Sequence, residues 1–350
     1  METESHNLPV DVLRDILLRL PGTSLVRLKR VCKRWCSLIS EPYFAKLHLE
    51  TRKNDLSGLV LLTYKDGHKL HISSLDESPW NATNMQIVNV PKIDYMSNTC
   101  NGLVCLYGDW NNIHLYNLTT RKVLMTLPSI SEKGSYGQFC ILGFDTSLES
   151  YKVVRFRRTY SFKQVCEVFT FGTTEWKILG NTPYQPGPNE PMLANQTVIY
   201  WIIDLAHTYP VHHVIYSFDI TQEVFKPVQA PQELRDPEFE HGFLSLANLG
   251  GELYMAGGKW YGVTIWKLVD HMNNVWNMEY KIIQEARPNV HLGFGYIVTL
   301  LSLKNGKLLF KTDKLLWYDL DCGTMTIVEG LEDTYVVHAR VFVESLLSPL

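Results

Sequence analysis

Chemistry in this chain would have to come from its histidines, cysteines or acidic residues, so their spacing is the first test. His212-His213, beside a strand-like run, offers two imidazoles, but no third ligand follows at the spacing a zinc site needs. The seven cysteines (Cys32, Cys36, Cys100, Cys105, Cys140, Cys166, Cys322) are scattered, odd in number and without a C-x-x-C pair. None carries the signature of a covalent-catalysis thiol. Cys32 and Cys36, one helical turn apart, read as small buried hydrophobes. Asp145, Asp219 and Asp319 recur at equivalent places in a repeating pattern, which predicts turn hydrogen bonds and not a catalytic set. Gly293-Phe294-Gly295 lacks the third glycine and the strand–turn–helix setting of a dinucleotide site. H-E-x-x-H, G-x-S-x-G and P-loop motifs are absent from the sequence. The expectation is therefore a chain that binds and does not convert: no catalytic residue, no metal and no cofactor.

Two patterns of apolar spacing must position whatever does the binding, and they divide the chain near residue 50. In residues 1–50 the spacing is helical. Pro9 suits a first helical position and Asp11 favours the first turn. Val12, Leu13, Ile16, Leu17 and Leu20 then make one broad apolar face. Pro21-Gly22 stops that helix. Thr23 or Ser24 can cap a second one, whose apolar set is Leu25, Leu28, Val31, Cys32, Trp35, Leu38 and Ile39. Pro42 ends the run, and Tyr43, Phe44 and Leu47 form a short third segment. Lys29, Arg30, Lys33 and Arg34 fall at i, i+1, i+4 and i+5 and should share one solvated face. So short a helical segment buries too little surface to stand alone. It must pack on the rest of the chain or offer its apolar face to another protein.

Charge follows the same division. The chain carries a net charge of -3, which gives no electrostatic reason to expect nucleic acid. Residues 8–39 hold seven Lys and Arg against two Asp, a local +5, which leaves -8 for the remainder. No apolar run is long enough for a membrane-spanning helix, and METESHNLP has neither the basic start nor the apolar core of a signal peptide. The N-x-T triplets at Asn81, Asn117 and Asn195 then read as chance matches, and the cysteine usage points to the reducing cytoplasm or nucleus.

Residues 51–350 read as strand and turn throughout, in runs such as LVLLTY, YKVVRF and KLLFKT cut by Gly, Asn, Asp and Pro. An aromatic-bearing strand, a polar turn and a second strand recur from Ile113, Cys166, Val214, Val263 and Lys314, at intervals of 53, 48, 49 and 51 residues. One more period back lands in GLVLLTYKDGHKLHISSL, which has the same form. A second strand type, as in CNGLVCLY, QTVIYWII, LGGELYMAGG and NGKLLFK, precedes most units. A period near 50 residues with four short strands per unit is the pattern of a kelch-like β-propeller. Six periods fit, which predicts six blades, with TYVVHARVFVES returning to the first blade to close the ring.

The ordered landmarks of the head resemble an F-box. They are Leu8-Pro9, Asp11, Ile16-Leu17, Leu20-Pro21, Ser24-Leu25, Val31-Cys32-Lys33, Trp35, Leu38-Ile39 and Pro42 with Phe44, and they run without insertion. The body resembles the F-box-associated domain of plant F-box proteins, through CNGLVCLY, YNLTTRKVLMTLP, LGFDTSLESYKVVRF, YSFDITQEVF, LGGELY and TIWKL. It departs from that family at Leu118, where proline is usual, and at Phe144-Asp145, where a second glycine with tyrosine is usual. These resemblances imply a small all-α F-box followed by an all-β propeller. They also imply a non-catalytic substrate receptor of an SCF-type ubiquitin ligase. The F-box would dock on the Skp-family adaptor, and through it the cullin, by Leu8, Pro9, Ile16, Leu17, Leu20, Pro21, Leu25, Leu28, Val31, Cys32, Trp35, Leu38 and Ile39. The propeller would capture an unidentified protein substrate for ubiquitination and proteasomal degradation, with no nucleic acid or membrane as partner.

Three long loops, 129–139, 182–195 and 230–243, and the aromatics Trp110, Tyr136, Tyr160, Tyr209, Trp260 and Tyr261 are the candidate substrate contacts, since aromatic anchors often dominate interface energy. Two other readings stay open. One is a small-molecule or glycan binder tethered to the adaptor; the other is an enzyme using the propeller channel.

Overall fold

The computed structural model describes residues 8–52, 55, 58–64, 68–75, 86–88, 93–108, 112–128, 135–159, 164–181, 192–194, 197–204, 213–235, 243–259, 262–283, 298–312, 314–328 and 335–348. The head is four helices, α1 (Val10–Leu18), α2 (Gly22–Leu28), α3 (Lys33–Ser40) and α4 (Pro42–Arg52). The expected second helix is therefore two, separated where Cys32 turns to an extended φ of -160° and ψ of 165°. Packing explains the break. Leu25 of α2 and Leu38 and Ile39 of α3 enter one core with Leu13, Leu17, Phe44 and Ala45. In an unbroken helix, positions 25 and 38 would stand about 20 Å apart along the axis.

Three local expectations change with that break. Lys29, Arg30, Lys33 and Arg34 do not share a helical face, and Arg34 Nη2 instead donates to the Leu8 carbonyl at 2.7 Å. Neither Thr23 nor Ser24 caps α2; Pro21 occupies the cap position. Cys32 is exposed and Cys36 half-buried, so neither is a core residue.

Six four-stranded antiparallel sheets follow among the described residues. With strands numbered in chain order, blade 1 holds β1 (Gly58–Tyr64), β2 (His68–Ser74) and β3 (Gln86–Val88). Blade 2 holds β4 (Ile93–Cys100), β5 (Leu103–Gly108), β6 (Ile113–Asn117) and β7 (Lys122–Thr126). Blade 3 holds β8 (Ser135–Asp145), β9 (Ser150–Thr159), β10 (Gln164–Thr170) and β11 (Lys177–Asn181). Blade 4 holds β12 (Met192–Ala194), β13 (Val198–Asp204), β14 (His213–Asp219) and β15 (Val224–Val228). Blade 5 holds β16 (Phe243–Leu249), β17 (Glu252–Lys259), β18 (Gly262–Asp270) and β19 (Val275–Ile283). Blade 6 holds β20 (Thr299–Lys304), β21 (Lys307–Lys311), β22 (Leu315–Asp319) and β23 (Met325–Ile327). The last strand, β24 (Tyr335–Phe342), pairs with β1 and becomes the first strand of blade 1, so the ring closes as the sequence predicts. Closure gives blade 1 its fourth strand, and radial repetition leaves each blade only short, protected edges.

The repeat read from the sequence is the third and fourth strands of blades 2 to 6. The earliest unit is out of phase: Gly58–Ser74 supplies the second and third strands of blade 1, because β24 takes the first place. The loop expectations are shortened too. β8 begins at Ser135, Met192–Ala194 is a strand, and Gln232–Arg235 is a 3-10 turn.

The recurrent acids do make turns. Asp219 Oδ1 accepts the backbone N–H groups of Thr221 and Gln222, each at 2.9 Å. Asp319 does the same for Asp321 and Cys322, and Asp270 for Met272 and Asn273. These turns hold a left-handed residue four positions on: Glu223, Gly323 and Asn274. Asp145 performs the same task at the end of a first strand, whereas Asp219 and Asp319 end third strands, so its place in the blade is not equivalent.

Antiparallel order gives the propeller two rims. β1 begins beside the end of β24, where Gly58 faces Phe342, so the chain enters from the head and leaves β24 on one rim. The turns 101–102, 118–121 and 146–149 lie on that head-side rim. The ends of β1 at Tyr64 and β5 at Gly108, and the start of β24 at Tyr335, mark the far rim.

Candidate functional site

The amphipathic face of α1 splits cleanly. Leu13 and Leu17 point into the head core, while Val12 and Ile16, four residues apart, point out. Together with Leu8, Val10, Val31 and Tyr43 they are large apolar side chains between 44% and 65% exposed. So much aliphatic surface on so small a bundle is the mark of an interface. The hydrogen bond from Arg34 to the Leu8 carbonyl brings the segment entering α1 to the first turn of α3, beside Val31.

The opposite side of the head is closed by the segment that follows β24. Leu346 joins the head core and Leu347 packs against it. Glu344 Oε2 accepts the Thr23 N–H at 3.1 Å, so a carboxylate from the far end of the chain satisfies an orphan donor at the start of α2. Blade 2 grips the same segment. Asn117 Nδ2 donates to the carbonyls of Ser345 and Leu347, both at 3.0 Å, and Thr119 Oγ1 accepts the Ser345 N–H at 2.8 Å. Fit is tight: a Cβ on Gly102, which has φ +76°, would sit 2.6 Å from Ser345 Cβ. A Cβ on Gly22 would approach Thr119 Cγ2 to 2.9 Å. An ion pair across the joint, Lys46–Glu149 at 3.6 Å, is exposed and adds little. Asn117 is fully buried here, which fits a chance N-x-T match and leaves no room for a glycan.

Inside the head, His48 is buried and its Nε2 meets the Leu20 carbonyl at 2.9 Å. Burial pushes its pKa down, so the imidazole is neutral and donates this bond.

A family model described as the F-box domain matches residues 5–47. A second, the F-box associated beta propeller domain, matches residues 59–334. The chain belongs to the F-box proteins with an F-box-associated propeller. Its relatives include a putative F-box protein of Arabidopsis thaliana, 27% identical over 78% of this chain and 67% of the relative. An Arabidopsis F-box/kelch-repeat protein is 29% identical over 65% of this chain and 66% of its own length. F-box protein CPR1 of Arabidopsis is 24% identical over 97% of this chain and 88% of its own. Among solved structures, TolB from Acinetobacter baumannii aligns over 85% of this chain and 71% of its own at 12% identity, with a TM-score of 0.46.

The F-box residues expected to touch an adaptor fall into three groups. Leu8, Pro9, Ile16, Pro21, Val31 and Cys32 are exposed. Leu20, Leu28 and Trp35 are half-buried against the head core. Leu17, Leu25, Leu38 and Ile39 are buried, which corrects their reading as a contact surface: they build the core that holds the exposed group in place. Val10, Val12 and Tyr43 were absent from the expected set; Val12 was legible as Ile16's partner one turn earlier.

Of the expected substrate contacts, Trp110, Tyr160, Tyr209, Trp260 and Tyr261 lie outside the described residues, as does the side chain of Tyr136. His212 and residues 293–295 lie outside them too. Among the described residues no three His, Cys, Asp or Glu side chains cluster as metal ligands would. Cys100, Cys105, Cys140 and Cys166 are buried, and burial raises each thiol's pKa, Cys100 and Cys140 to about 12, which keeps them protonated and unreactive.

Proposed function

We propose that this F-box protein is the substrate receptor of an SCF-type ubiquitin ligase. The exposed aliphatic face of α1 docks on the Skp-family adaptor and, through it, the cullin. The propeller holds a protein substrate, which a separate conjugating enzyme modifies for proteasomal degradation in the cytoplasm or nucleus. Catalysis by the receptor is then proximity alone: a tethered lysine meets the charged enzyme at raised effective concentration. The observation that carries this reading is an F-box whose core is complete on one side, through Leu346, and whose Val12–Ile16 face remains uncovered. Helix-in-groove docking needs such anchors at helical spacing.

The test is co-purification with a Skp-family adaptor. The double variant Val12→Asp, Ile16→Asp changes exposed positions, so the chain should fold as the parent does. Adaptor binding should fall by roughly a hundredfold or more, as two aliphatic anchors become charges. A variant that stays folded and still co-purifies would sink the assignment.

A further inference from the structure

Large apolar side chains exposed on the propeller sit for the most part on outer strands, as Val123, Ile178, Val224, Met278 and Ile327 do, or on head-side turns, as Leu148 and Met272 do. Three tyrosines break that pattern. Tyr64, Tyr95 and Tyr335 are 47% to 59% exposed, and they stand on β1, β4 and β24, the inner strands of the seam between blades 1 and 2. All three lie toward the far rim, opposite the F-box. Tyr64 is register-paired with Tyr335. Its ring lies 5.0 Å from His68, whose Nδ1 is 3.0 Å from Asp94 Oδ1. Tyr95, next in sequence to Asp94, stacks on buried Tyr107 at 5.6 Å and meets the His338 ring at 6.2 Å across the seam. The contacts thus run from Tyr64 through His68, Asp94 and Tyr95 to His338, with Tyr335 beside Tyr64 in the ladder.

Its chemistry is specific. The three phenol hydroxyls and Asp94 Oδ2 make no hydrogen bond among the described residues. Aromatic faces attract cations through their quadrupole, a guanidinium most of all, and a carboxylate beside them adds direct attraction. The background field agrees: residues 53–350 carry a net -6, against +3 for residues 1–52. We infer that the Tyr64–Tyr95–Tyr335 patch around Asp94 receives an arginine-bearing segment of the captured protein, the guanidinium lying against tyrosine faces and paired with Asp94. This rests on the receptor reading and names the site and the kind of segment it takes.

The test uses fluorescein-labelled Gly-Ser peptides carrying arginines, lysines or glutamates at matched positions, titrated by anisotropy into the full chain bound to its adaptor. The arginine peptide should bind saturably, the lysine peptide more weakly and the glutamate peptide not at all. Asp94→Asn, and separately Tyr64→Ala with Tyr335→Ala, should weaken arginine-peptide binding by about tenfold or more, the scale of a desolvated cation–π contact. Tyr64 and Tyr335 are exposed and Asp94 is half-buried, and an unchanged urea midpoint reports that each variant is folded. Failure to bind the arginine peptide, equal binding of the glutamate peptide, or variants that bind as the parent does would overturn the inference. So would binding of chitotriose that needs the tyrosines and not Asp94, which would make the patch a glycan site. The Val12→Asp, Ile16→Asp chain alone separates the two readings: it should keep peptide binding whether or not it keeps the adaptor.

Discussion

At the scale of single residues, the least forgiving positions are the buried charged and polar groups. Glu167 is fully buried between two guanidiniums, with Arg155 Nε at 2.9 Å and Arg157 Nη2 at 2.8 Å. Arg155 also lies 4.2 Å from the Trp176 ring. Glu167→Gln would keep the shape and remove the charge, so it should cost about 3–5 kcal/mol, the penalty for stripping a partner from a buried ion pair. Urea unfolding measures it, and a loss near zero would mean that water reaches the cluster. His48 gives a pH dependence. Burial lowers its folded pKa, Arg52 pushes the same way and Glu344 against it. The unfolded chain takes up this proton first, near the ordinary value of about 6.5. His48 therefore contributes fully above that pH, and its contribution fades as pH falls toward the depressed folded value. The urea midpoint should drop between pH 7.5 and 5.5, and His48→Gln, whose amide still reaches Leu20, should shrink the drop.

At the scale of elements, the segment at 343–348 is the unexpected part. Read alone, SLLSP offers no helix or strand signal, and nothing in it announces contact with a helix more than three hundred residues earlier. Its task is visible only once Glu344 is seen on Thr23 and Leu346 in the head core. Ending the chain at Phe342 would keep all of β24 and remove this splint. The propeller should unfold as before, while α1 and α2 lose protection from amide exchange. Leu346→Asp, a single change on the full chain, should reproduce the loosening. Unchanged exchange in both would show that the head stands on its own core. The break in the second helix was hidden for a similar reason. Residues 25–39 satisfy helical spacing throughout, and only the need to bring Leu25 and Leu38 into one core interrupts it.

At the scale of the whole molecule, the closed ring fixes two rims and the splint fixes the F-box on one of them. The exposed aliphatics of α1 and the tyrosine seam therefore stand toward opposite sides of the ring. In the proposed receptor role, a fixed spacing between the two would raise effective concentration at one place. A flexible joint would spread the same substrate over many distances.

Sequence by itself determined the fold class, the six-blade period, the ring closure and the F-box landmarks. The six-blade period and the closure rest on local spacing, strand–turn–strand runs every fifty residues or so, and the F-box landmarks on a family resemblance carried by their order. Tertiary structure alone decided which landmark leucines are core and which are surface, since Ile16 and Leu17 are neighbours in sequence and opposites in burial. It also decided that Asn117 holds a distant backbone and that three tyrosines far apart in the chain share one seam. Those facts depend on contacts between segments separated in sequence by tens to hundreds of residues, and no local pattern records them.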